Sequence, residues 1–189
     1  MATFVNSFFE TRLQDLLSLA EVVEHAFAAA SLEYRVVGGL AVYLYVEELE
    51  PSAGRLTRDI DITVHRADLA AIARAVEPFG LQYRDIAGVN MLVQTEQPSE
   101  RRAVHMIFSG EKVREDYAEG APEMGAFRTL QGVRLIPVED PIRMKLTSFR
   151  LKDEMHLKDL DEAGVITPEI ESRLTRLLRE RLLQNRTRR

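Results

Sequence analysis

The feature that most constrains this chain is a glycine pair, Gly38-Gly39, followed by an acidic segment, Asp59-Ile60-Asp61-Ile62-Thr63-Val64. In that segment carboxylates alternate with isoleucines before β-branched residues close it, which is typical of a half-buried β-strand. Because side chains alternate between the two faces of a strand, we expect Asp59 and Asp61 to project from one face while the isoleucines enter the core. Two carboxylates roughly 7 Å apart on one face are costly to bury unless a cation or a hydrogen-bond donor shares them.

The glycine pair separates a short apolar run, Tyr34–Val37, from a second apolar run that begins at Leu40. This order predicts a strand, a tight turn and a helix, and the free backbone N–H groups at the start of that helix favour an anion. A phosphate at the turn and a divalent metal at the acids together outline a nucleotide site. The simpler alternatives are a turn without a ligand and a solvated edge strand whose acids pair with Arg55 or Arg58.

The composition is that of an ordinary globular chain. The length of 189 residues is enough for one domain with a sizeable core. The residues are 46% hydrophobic and 29% charged, within the range of globular proteins. A net charge of −5 argues against general binding to nucleic acids or acidic membranes. The chain has no cysteine, which excludes disulfides and thiolate metal sites. No apolar run reaches the roughly 18–20 residues of a membrane span and no secretion signal is recognised, so we expect a cytoplasmic protein without a membrane partner.

Periodicity and turn signals predict a mixed order of helices and strands. A capping-box pattern at Ser7–Glu10 marks the first helix, Asp68 is expected to cap a later one, and Thr167-Pro168 starts the last. The predicted helices cover about 8–30, 40–49, 68–76, 140–149, 154–162 and a last segment from 167. The predicted strands cover 34–37, 59–64, 81–86, 91–95, 103–108, 127–130 and 133–136.

The order of these elements predicts an α/β (α+β) class with a short mixed sheet flanked by helices. We expect a core over residues 1–138, which includes the N-terminal helix, and a helical segment over 139–189 packed on it. In that segment His156 and Asp159 share a helical face, which favours a hydrogen-bonded pair over a partial metal site. The arginine-rich stretch 173–189 is interpreted as a solvated surface or a homo-oligomer contact, with RNA binding as the less favoured alternative.

The glycine pair and the acidic strand resemble the nucleotidyltransferase superfamily that includes DNA polymerase β. Its signature is an apolar residue, Gly-Gly or Gly-Ser, a spacer, and then Asp-apolar-Asp-apolar. With Thr57-Arg58 before the acids, the segment is similar to the bacterial AbiEii-like branch and to antibiotic nucleotidyltransferases. Segments similar to that branch's C-terminal helices follow in the expected order, at Pro141–Leu146 and His156–Leu160, with Arg150 between them.

The resemblance implies a nucleotidyltransferase-like fold and transfer of a nucleoside monophosphate from an NTP to an acceptor hydroxyl on a small molecule, RNA or protein. It implies Mg²⁺ or Mn²⁺ held by the two aspartates and phosphates cradled by the two glycines. Arg58, Lys145 and Arg150 are the expected nucleotide contacts, the last two because they project from the helical segment expected to face the sheet. An ordinary solvated surface is the alternative for Lys145 and Arg150, and it is the preferred interpretation of Lys152-Asp153. The resemblance to the AbiEii-like branch also implies a partner protein in a toxin–antitoxin or defence pair.

Two departures from the signature concern the spacer and the third acid. The 19 residues between Gly39 and Asp59 are more than the signature usually allows. Members also carry a third carboxylate on a later strand, where this chain has His105 between Val104 and Met106. His105 is then a ligand for Mn²⁺ or another metal that accepts imidazole, a general base, or the mark of a site that binds nucleotide without turnover. A hydrogen-bonded wall residue is the remaining alternative.

Overall fold

The computed structural model describes residues 2–51, 53–96 and 103–188, with residues 2–9 described by their backbone alone. The helices in these ranges are α1 (Ala2–Ala29), α2 (Gly38–Leu49), α3 (Leu69–Val76), α4 (Glu139–Ser148), α5 (Leu151–Glu162), α6 (Pro168–Ser172) and α7 (Arg176–Thr187). The strands are β1 (Arg35–Val37), β2 (Ile60–Val64), β3 (Leu81–Ile86), β4 (Val89–Gln94), β5 (Val104–Phe108), β6 (Arg128–Leu130) and β7 (Val133–Leu135). The predicted mixed α/β class is confirmed.

The strands form one mixed seven-stranded sheet in the order β3-β4-β5-β2-β1-β7-β6. The β2–β5 and β1–β7 pairs are parallel, and the other neighbours are antiparallel. In this register Asp61 lies opposite Val37 on one neighbouring strand and opposite His105 on the other. The end of β1, the start of β2 and the start of β5 therefore meet at one end of the sheet.

The helices cover the sheet in two packing groups. Helix α2 is buried along Gly38–Val46 and packs on β1, β2, α4 and α5, which explains why its sequence is apolar on every side. Helix α7 completes this group by packing on α4 and α5. Helix α1 packs on α3 and β7 instead. One continuous apolar core includes residues from both groups, from Leu16 on α1 to Leu182 on α7.

Most predicted elements are present, but several boundaries were wrong. Helix α1 begins at Ala2, so the capping-box pattern at Ser7 lies inside it. Helix α5 begins at Leu151 rather than near 154. Asp68 precedes α3 without making a side-chain capping hydrogen bond, whereas the predicted cap at Thr167 is confirmed by its bond from the Ile170 N–H, 3.3 Å long.

The single last helix predicted from residue 167 is two helices in the structure. Helix α6 ends at Ser172 and α7 begins at Arg176, with tight turns closed by Arg173 and Leu174 between them. Ile170, Leu174 and Leu178 are all buried across this break, so the apolar spacing continues although the helix does not. The predicted division at residue 138 falls in the connection between β7 and α4 and stays a prediction. No helix in the described ranges is long and apolar enough to cross a membrane.

Candidate active site

Two carboxylates and one imidazole converge at the end of the sheet where β1, β2 and β5 meet. The Nδ1 atom of His105 lies 3.5 Å from Oδ2 of Asp59 and 3.6 Å from Oδ1 of Asp61. The three side chains are 24%, 37% and 28% exposed for His105, Asp59 and Asp61. This arrangement is partly sheltered from water but open to a ligand.

The carboxylates control the protonation of the imidazole. The contact with Asp61 raises the pKa of His105 above its ordinary value, and the charges of both aspartates add to this effect. Burial and the charge of Lys152 act in the opposite direction. Distances of 3.5 and 3.6 Å are at or beyond the limit of a regular hydrogen bond, so these contacts are mainly electrostatic. The two carboxylates thus favour the protonated form of the imidazole, which places a positive charge beside them.

The glycine pair forms a wall of the same site. Gly38 has a φ of +67°, a left-handed conformation, and a Cβ atom at this position would overlap the carboxylate of Asp61. A Cβ atom on Gly39 would lie 2.6 Å from Oγ1 of Thr57, which is inside van der Waals contact. The start of α2 is therefore in direct contact with the side chains around the acids. Only glycine at these two positions leaves room for that approach.

The segment before β2 supports the first acid. The hydroxyl of Thr57 donates to Oδ1 of Asp59 over 3.2 Å. Arg58, between them, is exposed, and together with Asp59 it lines a cavity that extends towards α1. Arg58 is therefore next to the acid pair, as the sequence led us to expect. Its predicted contact with a phosphate stays a prediction.

The side chain of Lys145 points into the protein, where its charge is paired with a buried carboxylate. Its Nζ lies 3.1 Å from Oδ1 of Asp153, and the two side chains are only 8% and 0% exposed. Burial alone would raise the pKa of Asp153. The hydrogen bond from Arg150 and the charge of Lys145, with a hydrogen bond from Ser148, outweigh burial and lower that pKa to about 2. The predicted nucleotide contact of Lys145 would require this buried pair to open.

Arg150 is better placed than Lys145 to face a ligand. It precedes α5, its Nε donates to Oδ2 of Asp153 over 2.7 Å, and half of its side chain is exposed. The hydrogen bond to Asp153 raises the pKa of Arg150, and the charge of Asp61 contributes to the same shift. The guanidinium is thus within electrostatic reach of the acid pair while Asp153 holds it.

His156, which the sequence associated with Asp159, is a neighbour of the glycine pair in the structure. Its Cε1 lies 3.6 Å from where a Cβ of Gly39 would be. Burial, followed by the charge of Lys145, lowers the pKa of His156 to about 4. Its buried Nδ1 has no hydrogen-bond partner among the residues the structure describes. The predicted pair with Asp159 was wrong, because Asp159 accepts a hydrogen bond from Nε of Arg55 over 2.9 Å.

Several residues of the site gave no sequence signal of their own. Asp153 looked like part of an ordinary charged surface, yet it is the most buried acid of this region. Thr57 drew attention only through its place before the acids, which is the signal that could have found it. The predicted roles of Gly38, Gly39 and the two aspartates stay predictions, although these residues do lie together.

Comparisons with known proteins find similarity in structure but not in sequence. No family model matches the chain, and no curated protein matches it significantly. Among solved structures, a nucleotidyltransferase-like protein from Paracoccidioides brasiliensis is similar with a TM-score of 0.58 at 15% identity, over 90% of this chain and 87% of that one. ANT(2'')-Ia, solved in complex with adenylyl-2''-tobramycin, is similar with a TM-score of 0.53 at 14% identity, over 90% of this chain and 98% of that one.

At such low identities the likeness concerns the arrangement of helices and strands and carries no substrate or residue role to this chain. It does not single out the AbiEii-like branch. Both matches nevertheless extend over 90% of this chain, and one of the two proteins is described as nucleotidyltransferase-like. This chain has a nucleotidyltransferase-like fold.

Proposed function

We propose that this protein transfers a nucleoside monophosphate from an NTP to a hydroxyl group of an acceptor. The observation that carries the proposal is the contact between the two halves of the predicted signature. The carboxylate of Asp61 lies against Gly38 at the start of α2, and Asp59 reaches the same His105 nitrogen as Asp61. A helix start that favours phosphate and a carboxylate pair that requires a cation therefore share one location.

The donor set fits a divalent ion of the Mg²⁺ or Mn²⁺ type. Mg²⁺ is commonly bound by one or two carboxylates, with substrate phosphates and water completing its shell. Asp59 and Asp61 supply such a pair. In the described ranges no group of three or more histidine and acidic side chains could hold a metal ion, so a metal would need ligands from the nucleotide. When bound, the ion would neutralise phosphate charge and activate the attacking hydroxyl.

The remaining residues have roles around that pair. Gly38 and Gly39 allow the phosphates to approach the backbone, and Arg58 and Arg150 provide guanidinium groups beside the acids. Lys145 acts through Asp153, to which it is bound, rather than by direct contact in the arrangement described. His105 is assigned to the metal or acceptor side of the pair, because its Nδ1 faces both carboxylates.

The test is nucleotide binding and transfer by purified protein with labelled NTPs, Mg²⁺ or Mn²⁺ and a panel of hydroxyl acceptors. Asp61→Asn and Asp59→Asn are expected to abolish metal-dependent nucleotide binding. Asp85→Asn is the matched control, because this exposed residue of the β3–β4 hairpin keeps its acceptor for the Gly88 N–H after the change. Wild-type protein that neither binds nucleotide with metal nor transfers it would end the proposal.

The second candidate is a nucleotide-binding or regulatory module without turnover, such as one member of a toxin–antitoxin or defence pair. It is favoured by His105 itself, because its Nδ1 faces both carboxylates where an acid is expected. His105→Asp separates the two candidates. Transfer with Mg²⁺ that appears only in this variant would support the module, and transfer in the wild type that this variant does not improve would support the enzyme.

A further inference from the structure

A cavity of about 400 Å³ lies beside the acid pair, between α1 and the ends of the central strands. Residues 11–22 of α1 form one wall, and Arg58, Asp59, Gln94 and Ala103 form the other. Asp59 thus belongs to both the cavity and the carboxylate pair. The volume is in the range of sites for small organic ligands, whereas a folded RNA or protein would not enter it.

The cavity joins an apolar floor to two charged side chains that have no partner among the described residues. Leu16, Leu19 and Ala103 are buried and provide the apolar surface. No hydrogen bond or ion pair to another described residue engages Arg12 or Asp15. These two side chains are one turn apart on α1, so both face the space opposite Asp59.

The charge balance of the cavity selects the class of ligand. If Asp59 is engaged by a divalent ion, the cavity retains the guanidinium groups of Arg12 and Arg58 against the single carboxylate of Asp15. Two guanidinium groups favour a carboxylate or a phosphate, which they can bind through charge-assisted hydrogen bonds. A polycation would meet net repulsion there.

We propose that this cavity holds the acceptor, and that the acceptor is a small hydroxylated molecule carrying a phosphate or a carboxylate. The inference rests on the proposed function, because it uses Asp59 as a member of the reacting site. The acceptor oxygen forms a bond to the α-phosphorus of the NTP, and the bond from that phosphorus to the bridging oxygen breaks. The electron pair of that bond leaves with pyrophosphate, and the hydroxyl proton passes to solvent.

Titration calorimetry with matched probes tests the inference, in the presence of Mn²⁺ and a non-hydrolysable NTP so that Asp59 is engaged. Glucose 6-phosphate and glucuronate each carry one anionic group on the skeleton of glucose, a phosphate in the first and a carboxylate in the second. Glucose is the uncharged reference, and tobramycin serves as the polycation. At least one anionic probe is expected to bind about tenfold tighter than glucose. The inference is overturned if both anionic probes bind no tighter than glucose or do not bind at all. It is also overturned if tobramycin binds more tightly than the anionic probes.

Two substitutions in α1 are expected to change the affinity for the anionic probe in opposite directions. Arg12→Gln is expected to weaken the anionic probe about tenfold, and Asp15→Asn to strengthen it roughly two- to fivefold, with glucose unaffected. Arg74→Gln, an exposed arginine on α3 outside the cavity, is the matched control and is expected to bind like the wild type. Anion binding that Arg12→Gln leaves unchanged would place the anion elsewhere and overturn the inference.

Nucleotide binding measured on the same samples separates this inference from the proposed function. Arg12 is not among the residues around the glycine pair, so Arg12→Gln is expected to bind NTP with Mn²⁺ as the wild type does. Normal nucleotide binding without an anion preference would reject the acceptor class alone. Absent nucleotide binding in the wild type would reject the proposed function, and the probe titrations would still decide whether the cavity selects anions.

Discussion

At the scale of single residues, Gly38 links the backbone to the chemistry of the site. Its left-handed φ alone makes any other residue unfavourable, and the neighbouring Asp61 carboxylate adds a steric reason. Gly132 offers a comparison without that neighbour, since it has a φ of +78° and nothing within 4 Å of its ideal Cβ position. A comparison of the two glycines therefore separates the cost of a positive φ from the cost of a steric clash with Asp61.

Gly38→Ala is expected to lower the free energy of unfolding by about 1–3 kcal/mol more than Gly132→Ala does, because the new methyl group must displace Asp61. Gly132→Ala should cost about 1 kcal/mol through its positive φ alone. Urea unfolding monitored by circular dichroism measures both values. Equal losses in the two variants would contradict the contact between Gly38 and Asp61.

His156 predicts a pH dependence of stability. Its pKa in the folded protein is about 4 against an ordinary value of 6.5, so the unfolded chain binds more protons between these values. The stability that neutral His156 contributes is therefore present above pH 6.5 and is lost as the pH falls towards 4. Lys145, Lys152 and Arg55 oppose its protonation, and Asp153 favours it.

The expected loss from His156 is about 2 kcal/mol between pH 7 and pH 4.5, after allowance for its partial exposure. Urea unfolding at these two pH values should show this loss in the wild type and a smaller one in His156→Gln, which cannot take up the proton. Other titrating groups act in both proteins and cancel in the difference. An identical pH dependence of the two proteins would contradict the lowered pKa.

At the scale of elements, the junction of α4 and α5 depends on one buried carboxylate. Asp153 accepts hydrogen bonds from Lys145 and Ser148 of α4 and from the backbone N–H and side chain of Arg150. The bond to the backbone N–H satisfies a free donor at the start of α5, which explains why this helix begins at Leu151. The same carboxylate joins two helices and holds the arginine beside the acid pair.

Asp153→Ala should lower the free energy of unfolding by about 3–5 kcal/mol, because it leaves the ammonium of Lys145 buried without a partner. Glu162→Ala on the same helix is the matched control. It removes an exposed ion pair with Lys158 and should change stability by about 0.5 kcal/mol or less. Chemical denaturation of both variants gives the comparison, and similar values would mean that Lys145 finds water or another partner.

The sequence predicted those elements whose signal is local. Alternation identified β2, and the glycine pair identified the turn before α2, because each pattern depends on neighbours along the chain. The contact of His105 with the aspartates depends on the parallel register of β2 and β5, which lie more than 40 residues apart in sequence. The break between α6 and α7 was missed because its apolar spacing is continuous. Burial of Asp153 was missed because charged residues are mostly exposed.

At the scale of the whole molecule, the candidate site is assembled from segments spread over most of the chain. α1 contributes the cavity wall, the centre of the sheet contributes the acids, and the C-terminal helices contribute Arg150 and His156. No sequence pattern predicts where α1 packs, so the cavity was not foreseen. A ligand bound at this place would contact several elements at once and would stabilise the folded state as a unit.

Binding of NTP with Mg²⁺ should therefore raise the melting temperature of the protein. A ligand at a hundred times its dissociation constant contributes about 2.7 kcal/mol, which corresponds to about 5–10 °C for a chain of this size. Thermal unfolding with and without NTP and Mg²⁺ measures the shift, which Asp61→Asn should lose and Asp85→Asn should keep. A shift without transfer would favour the binding module over the enzyme. A shift that survives in Asp61→Asn would mean that the nucleotide binds away from the carboxylate pair, because Asp61 is a member of that pair and contacts the start of α2.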